Sequence, residues 1–240
     1  MDFKNEISEF NKLRKKYFKN FYSNSSKKPV LTKAEILHLF QIINFFQILK
    51  DYDVTSNNAL PKLSEMCLDT LYNLLIAILT NNDLFIAACT RQFDEELLEI
   101  VYSEFCTYKS TKEILKLNYR KLWENGIHNS LSYRKLATTQ RSDKKEGIIR
   151  EKDKLDAINN LFKKDSDKLH FKYQDVDSTK YLEQIIKKGT EFSKSNLSSH
   201  INQYYIFCID LLPIIIKLDI NLLSHNQKHE YLSLIKSLQF

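Results

Sequence analysis

Three glycines and three prolines are all that punctuate 240 residues. Sheets of tight turns and Gly-rich phosphate loops need far more of both, so the scarcity points to helices nearly throughout. Runs such as Asn82 to Tyr108 agree, carrying apolar side chains three to four residues apart. The fold class expected is all-α: an antiparallel helical bundle, one domain over residues 1–240, with a charged, partly irregular insertion at 134–178.

The helix boundaries are legible from cap signals. An apolar stripe of Phe3, Ile7, Phe10, Leu13, Tyr17, Phe18 and Phe21 predicts a first helix over 2–22, followed by a loop at 23–29. Thr32 with Glu35 has the capping-box spacing, in which hydroxyl and carboxylate each satisfy an orphaned backbone N–H, and opens a helix to about Lys50. Pro61 suits the first turn of a third helix, whose inward face is Leu63, Met66, Cys67, Leu71, Leu74, Leu75 and Ile78. Asn81 and Asn82 break and cap, and a central helix runs from Asp83 to about Tyr108 with Leu84, Ala87, Ala88, Phe93, Leu97, Ile100, Val101 and Phe105 inward. Ser110 and Glu113 form a second capping box, opening a helix that ends near Asn125 with Gly126 in the left-handed C-terminal position.

From Arg134 to Lys188 bases and acids alternate among Ser and Asp, which reads as the mobile stretch, with an extended piece or short strand, but no sheet, at 171–177. A helix from Lys180 interrupted near Gly189, another from Ser195 to Ile215 bent or ended by Pro213, and a last one over Ser224 to Leu238 complete the chain.

The chemistry this excludes is broad. The sequence shows no strand-turn-helix nucleotide fold and no paired Cys or His ligands, so it assigns neither cofactor nor metal. Cys67, Cys89, Cys106 and Cys208 are scattered and read as free thiols, three of them on buried faces. No apolar run reaches the roughly 18 residues of a membrane span, and the chain reads as cytoplasmic. A formal charge of +6 permits an RNA partner without demanding one.

One constellation carries chemical content. Tyr119, Arg120, Asn125, Gly126 and His128 place a guanidinium, an amide and an imidazole around one helix end. Such a pair cleaves RNA without a metal: the imidazole takes the 2′-hydroxyl proton and the guanidinium stabilises charge on the phosphorane. The bland reading is a surface histidine capping carbonyls. Arg91 divides similarly between a buried cation held by Asp94 or Glu95 and an ordinary i, i+4 surface pair. His38 reads as a boundary histidine of an apolar helix. His225 and His229 have two-histidine metal spacing with no acidic residue to complete it. His200, after Lys194, Ser195 and Asn196, reads as part of a helix start.

The helix Leu84 to Tyr102, with Arg91 ahead of Asp94 and Glu95, and the later Tyr119, Leu122 and His128, resemble segments of the HEPN-like all-α superfamily. The resemblance covers Leu71 to Ser130. It implies a bundle that dimerises so that two R-x(4 to 6)-H motifs face each other and cleave RNA, often in phage-defence or toxin systems, other members being noncatalytic. On this chain His128 and Arg120 are the catalytic candidates, with Arg91 of the neighbouring helix as the alternative partner of His128, and Asn125, Tyr119 and Glu95 are the binding candidates. Two departures stand out: seven residues separate Arg120 from His128, and Trp123 replaces a small polar residue. The alternative reading is a noncatalytic helical module that binds another protein, a sensor, inhibitor or scaffold, through aromatic residues of its first helix.

Overall fold

The structure, a computed structural model, describes residues 3–17, 31–52, 59–80, 82–106, 110–136, 140–143, 147–172 and 194–237. The all-α class holds. In chain order the helices are α1 (Lys4–Tyr17), α2 (Lys33–Lys50), α3 (Leu60–Leu79), α4 (Asp83–Phe105), α5 (Thr111–Ile114), α6 (Leu131–Leu136), α7 (Glu151–Lys172), α8 (Lys194–Ile206), α9 (Leu212–Ile215) and α10 (His225–Ser237).

The cap signals behave as read. Thr32 and Glu35 form a complete capping box, with Glu35 N–H donating to Thr32 Oγ1 at 3.2 Å and Thr32 N–H to Glu35 Oε2 at 2.6 Å. Pro61 sits in the first turn of α3. Asn82 caps α4, its Oδ1 accepting from Phe85 N–H at 3.1 Å. A further box went unread: Ser224 and Gln227 exchange backbone-to-side-chain bonds at the start of α10.

Helices α2, α3, α4, α7 and α8 each pack on the next, and α8 returns to α2, so the five close a ring around one core. Along it Phe46 of α2, Phe93 of α4 and Tyr204 of α8 stack edge to face, with centroids 5.7 and 4.9 Å apart. All three are fully buried, and such pairs contribute about 0.5–1.5 kcal/mol each beyond the area they remove from water. The inward residues read for the end of α8, Tyr204, Phe207, Cys208 and Leu211, are buried as expected.

Five expectations need correction. The stretch read as a charged insertion carries α7, whose Leu155, Ile158, Leu161 and Phe162 fill the ring against α4. Asp153, Lys163 and Lys164 lie on its outer face while Glu151, Lys154 and Asp165 are buried with the apolar residues, which are few but helically spaced, so composition hid an amphipathic core helix. A two-stranded hairpin precedes it, Gln140–Asp143 antiparallel to Gly147–Arg150, where no strand was expected. Phe171 and Lys172, read as extended, end α7. The remainder of that extended piece, the loop at 23–29 and the interrupted helix from Lys180 lie outside the described residues.

The single helix expected from Ser110 to Asn125 is two pieces: α5, then a π turn over Arg120–Glu124. A second π turn, Phe207–Leu211, divides α8 from α9 just before Pro213. Proline has no N–H and its ring displaces the carbonyl one turn back, which widens the turn.

Gly126 is not left-handed; its φ is −104°. Close packing is what requires glycine. A Cβ there would run into the Tyr102 ring of α4 and come within 2.6 Å of the Leu122 carbonyl oxygen. Gly126→Ala is therefore expected to lower stability by about 1–3 kcal/mol through overpacking. Chemical denaturation of the two proteins measures it, and equal midpoints would show that Tyr102 gives way freely.

Candidate functional site

The residues expected to share a site are distributed over three places. Tyr119 and Arg91 both rest on Phe162 of α7: the Tyr119 ring stacks at 4.6 Å between centroids, and the Arg91 guanidinium lies 5.1 Å from the same ring. Tyr119 also donates to Asn159 Oδ1 at 2.6 Å, and burial pushes its hydroxyl up to about 12. Arg91 donates from Nε to Ser166 Oγ at 3.1 Å and pairs with Glu95 at 3.6 Å. Glu95, expected among the binding groups, is thus the partner of Arg91. Asp94 turns inward and is fully buried. These side chains fasten α7 to α4 and to the Tyr119 segment.

Arg120 stands at the start of the π turn, its side chain 80% exposed, paired with Glu124 at 3.2 Å. A surface pair of this kind contributes about 0.3–0.5 kcal/mol and leaves the guanidinium open to exchange. Asn125 is exposed and its backbone N–H closes the turn onto the Arg120 carbonyl at 3.1 Å.

His128 follows in a short 3-10 turn, exposed, against the buried rings of Tyr133 at 5.1 Å and Trp123 at 6.4 Å between centroids. Among the described residues no hydrogen bond or ion pair joins His128 to Arg120 or Arg91. The Tyr133 ring has two further partners on α7. Lys152 of α7 holds its ammonium 5.2 Å from the Tyr133 centroid, and the Tyr133 hydroxyl donates to Asp156 Oδ1 at 2.6 Å. Burial and the Asp156 carboxylate raise the Tyr133 hydroxyl above the usual phenol range. Tyr133 and Lys152 were not picked out from sequence: Lys152 falls in the segment that reads as charged and irregular, and Tyr133 stands just before it.

The remaining histidines separate cleanly. His38 is half-buried, stacked on Tyr205 at 4.1 Å, with Nδ1 3.1 Å from Asn202 Oδ1; burial lowers its pKa. His225 and His229 are exposed, and among the described residues no group of three or more His, Cys, Asp or Glu is placed to hold a metal ion. His200 is the departure. Read as part of a helix start, it is fully buried, its Nε2 3.0 Å from Asp165 Oδ2. The same oxygen accepts from Thr90 Oγ1 at 2.5 Å, and Tyr204 OH donates to the Thr90 carbonyl at 3.2 Å. An imidazole, a carboxylate and a hydroxyl in hydrogen-bond contact would be catalytic chemistry at a surface; enclosed by α4, α7 and α8 they are a buried polar clasp.

Comparison of the chain with protein-family models, curated proteins and solved structures finds no match. Among the described residues no helix is long and apolar enough to cross a membrane.

Proposed function

We propose that this chain is a noncatalytic helical binding module that recognises another protein through the free part of its first helix. The observation carrying this reading is the division of the α1 stripe. Phe3, Ile7 and Phe10 pack on the bundle, Phe10 edge to face with Phe40 at 6.3 Å. Leu13 and Tyr17 continue the stripe at helical spacing and are 45% and 61% exposed. Anchors at such spacing on a held helix suit a groove in a partner. The groups that catalysis would need are engaged elsewhere, Arg91 by α7 and Arg120 by Glu124, and the histidine with a carboxylate partner is sealed in the core.

A second reading, a HEPN-like metal-independent endoribonuclease of a defence or toxin system, is supported by the exposed His128 and by the exposure of Arg120, whose surface pair with Glu124 is weak enough to exchange. A second copy would have to bring a guanidinium to the imidazole.

One experiment separates the two. The full chain, incubated with single-stranded RNA in excess chelator, is expected to leave it intact. Cleavage that disappears in His128→Ala would establish the nuclease in place of the binding module. Leu13→Asp with Tyr17→Asp is expected to leave the melting temperature within about 2 °C of the parent, both side chains being exposed, while abolishing recovery of a defined partner. Retention of that partner would remove α1 as the contact.

A further inference from the structure

The groove between α3 and α4 opens into a cavity of about 320 Å³, lined by Met66, Asp69, Thr70, Asn73, Phe85, Ala88, Cys89, Gln92 and Glu96. That is within the range of small-molecule sites. Its walls are of two kinds. Met66, Phe85, Ala88 and Cys89 supply an apolar side, and Asp69, Asn73 and Gln92 stand exposed at the mouth. Glu96 lies at the floor, 2% exposed.

The floor carboxyl is incompletely satisfied. Oε1 accepts from Thr70 Oγ1 at 2.8 Å and from Gln92 Nε2 at 3.0 Å, while Oε2 is buried without a hydrogen-bond donor. A buried acceptor left without a donor costs about 1–3 kcal/mol, more for a charged group. A donor that reached Oε2 from the cavity would remove that cost. The exposed Asp69 at the rim makes a cation the favoured kind of donor, although the chain as a whole is basic.

We propose that the α3–α4 cavity binds a small organic ammonium, the cationic head donating to the Glu96 carboxylate under the rim charge of Asp69, the apolar body lying against Met66, Phe85, Ala88 and Cys89. This stands apart from the α1 contact and from His128, neither of which touches the cavity.

The site carries its own signature in pH. Burial, partly offset by the Gln92 and Thr70 hydrogen bonds, raises the Glu96 pKa to about 7, with Asp69 and Glu95 adding repulsion. Facing it are Asp69 and Cys67 from α3, and Glu95, Glu99 and Cys89 from α4, with Cys208 beyond Cys67. An ammonium selects the carboxylate, so binding well below about pH 7 expels up to one proton to solvent; affinity should rise up to about 7 and flatten above it.

Titration calorimetry of the full chain with 2-phenylethylammonium, and with 2-phenylethanol as its uncharged counterpart, tests this at about pH 6 and about pH 8.5. Saturable binding of the ammonium is expected, tighter at the higher pH, with proton release in paired buffers only at the lower, and with the alcohol weaker by about tenfold or more. Glu96→Gln is expected to remove both the preference and its pH dependence. Ala88→Leu, at an exposed wall position remote from the carboxyl, is expected to abolish binding with the fold intact, and decides the matter if the first variant folds poorly. No binding at the higher pH, equal affinity for alcohol and ammonium, or undiminished binding by Ala88→Leu overturns the proposal.

Discussion

Asp165→Ala is expected to lower the stability of the chain by about 1–3 kcal/mol, the usual loss when a buried hydrogen-bonding group is left without its partner. The carboxylate joins three helices. Its Oδ2 lies 3.0 Å from His200 Nε2 of α8 and 2.5 Å from Thr90 Oγ1 of α4, and all three residues are fully buried. Truncation withdraws the acceptor from both and leaves an imidazole in a core water does not reach. Thr90→Val takes one donor from Asp165 Oδ2 but leaves its contact with His200 Nε2, so it should cost less, about 1 kcal/mol. Chemical denaturation gives the magnitudes. A double-mutant cycle of Asp165→Ala with His200→Leu should return a coupling above about 1 kcal/mol. Strict additivity would show that the two side chains are neighbours without an energetic bond.

That clasp marks the limit of what the chain reveals unaided. Helix starts are local: Thr32 and Glu35, Pro61, and Asn82 each state a boundary within four residues, and each is where the sequence places it. The clasp is not local, for Thr90 and Asp165 stand 75 positions apart and Asp165 sits in a run of Lys and Asp with nothing to single it out. The period of α7 was present in Leu155, Ile158, Leu161 and Phe162, but alternating charges around it gave the appearance of a solvated linker. His128 was correctly placed at a turn. The π turn over Arg120–Glu124 sends Arg120 outward to Glu124, and it is the Tyr133 ring that lies beside the imidazole.

Paired carboxyls on α4 supply the other large effect, a loss of stability toward alkaline pH. Burial raises Glu96 to about 7; burial, with repulsion from Glu95 and Glu96, raises Glu99 to about 8. In the unfolded chain both return to ordinary carboxyl values near 4.5. Between these limits the folded state holds protons that the unfolded state has released, so stability falls as pH rises, by about 1.4 kcal/mol per pH unit for each group. The loss begins above 4.5 and is complete once pH passes the folded values of about 7 and about 8. Glutamine is well suited to isolate the effect: at 96 its carbonyl can accept from Thr70 and Gln92 as Glu96 Oε1 does, and no donor attends the Oε2 it replaces. Glu96→Gln with Glu99→Gln should therefore match the parent near pH 5 and exceed it by a few kcal/mol near pH 8.5, measured as urea midpoints across that range. Parallel profiles for the two proteins would mean that these carboxyls ionise inside the fold at no cost, and would remove the proton linkage on which the α3–α4 cavity's pH signature depends.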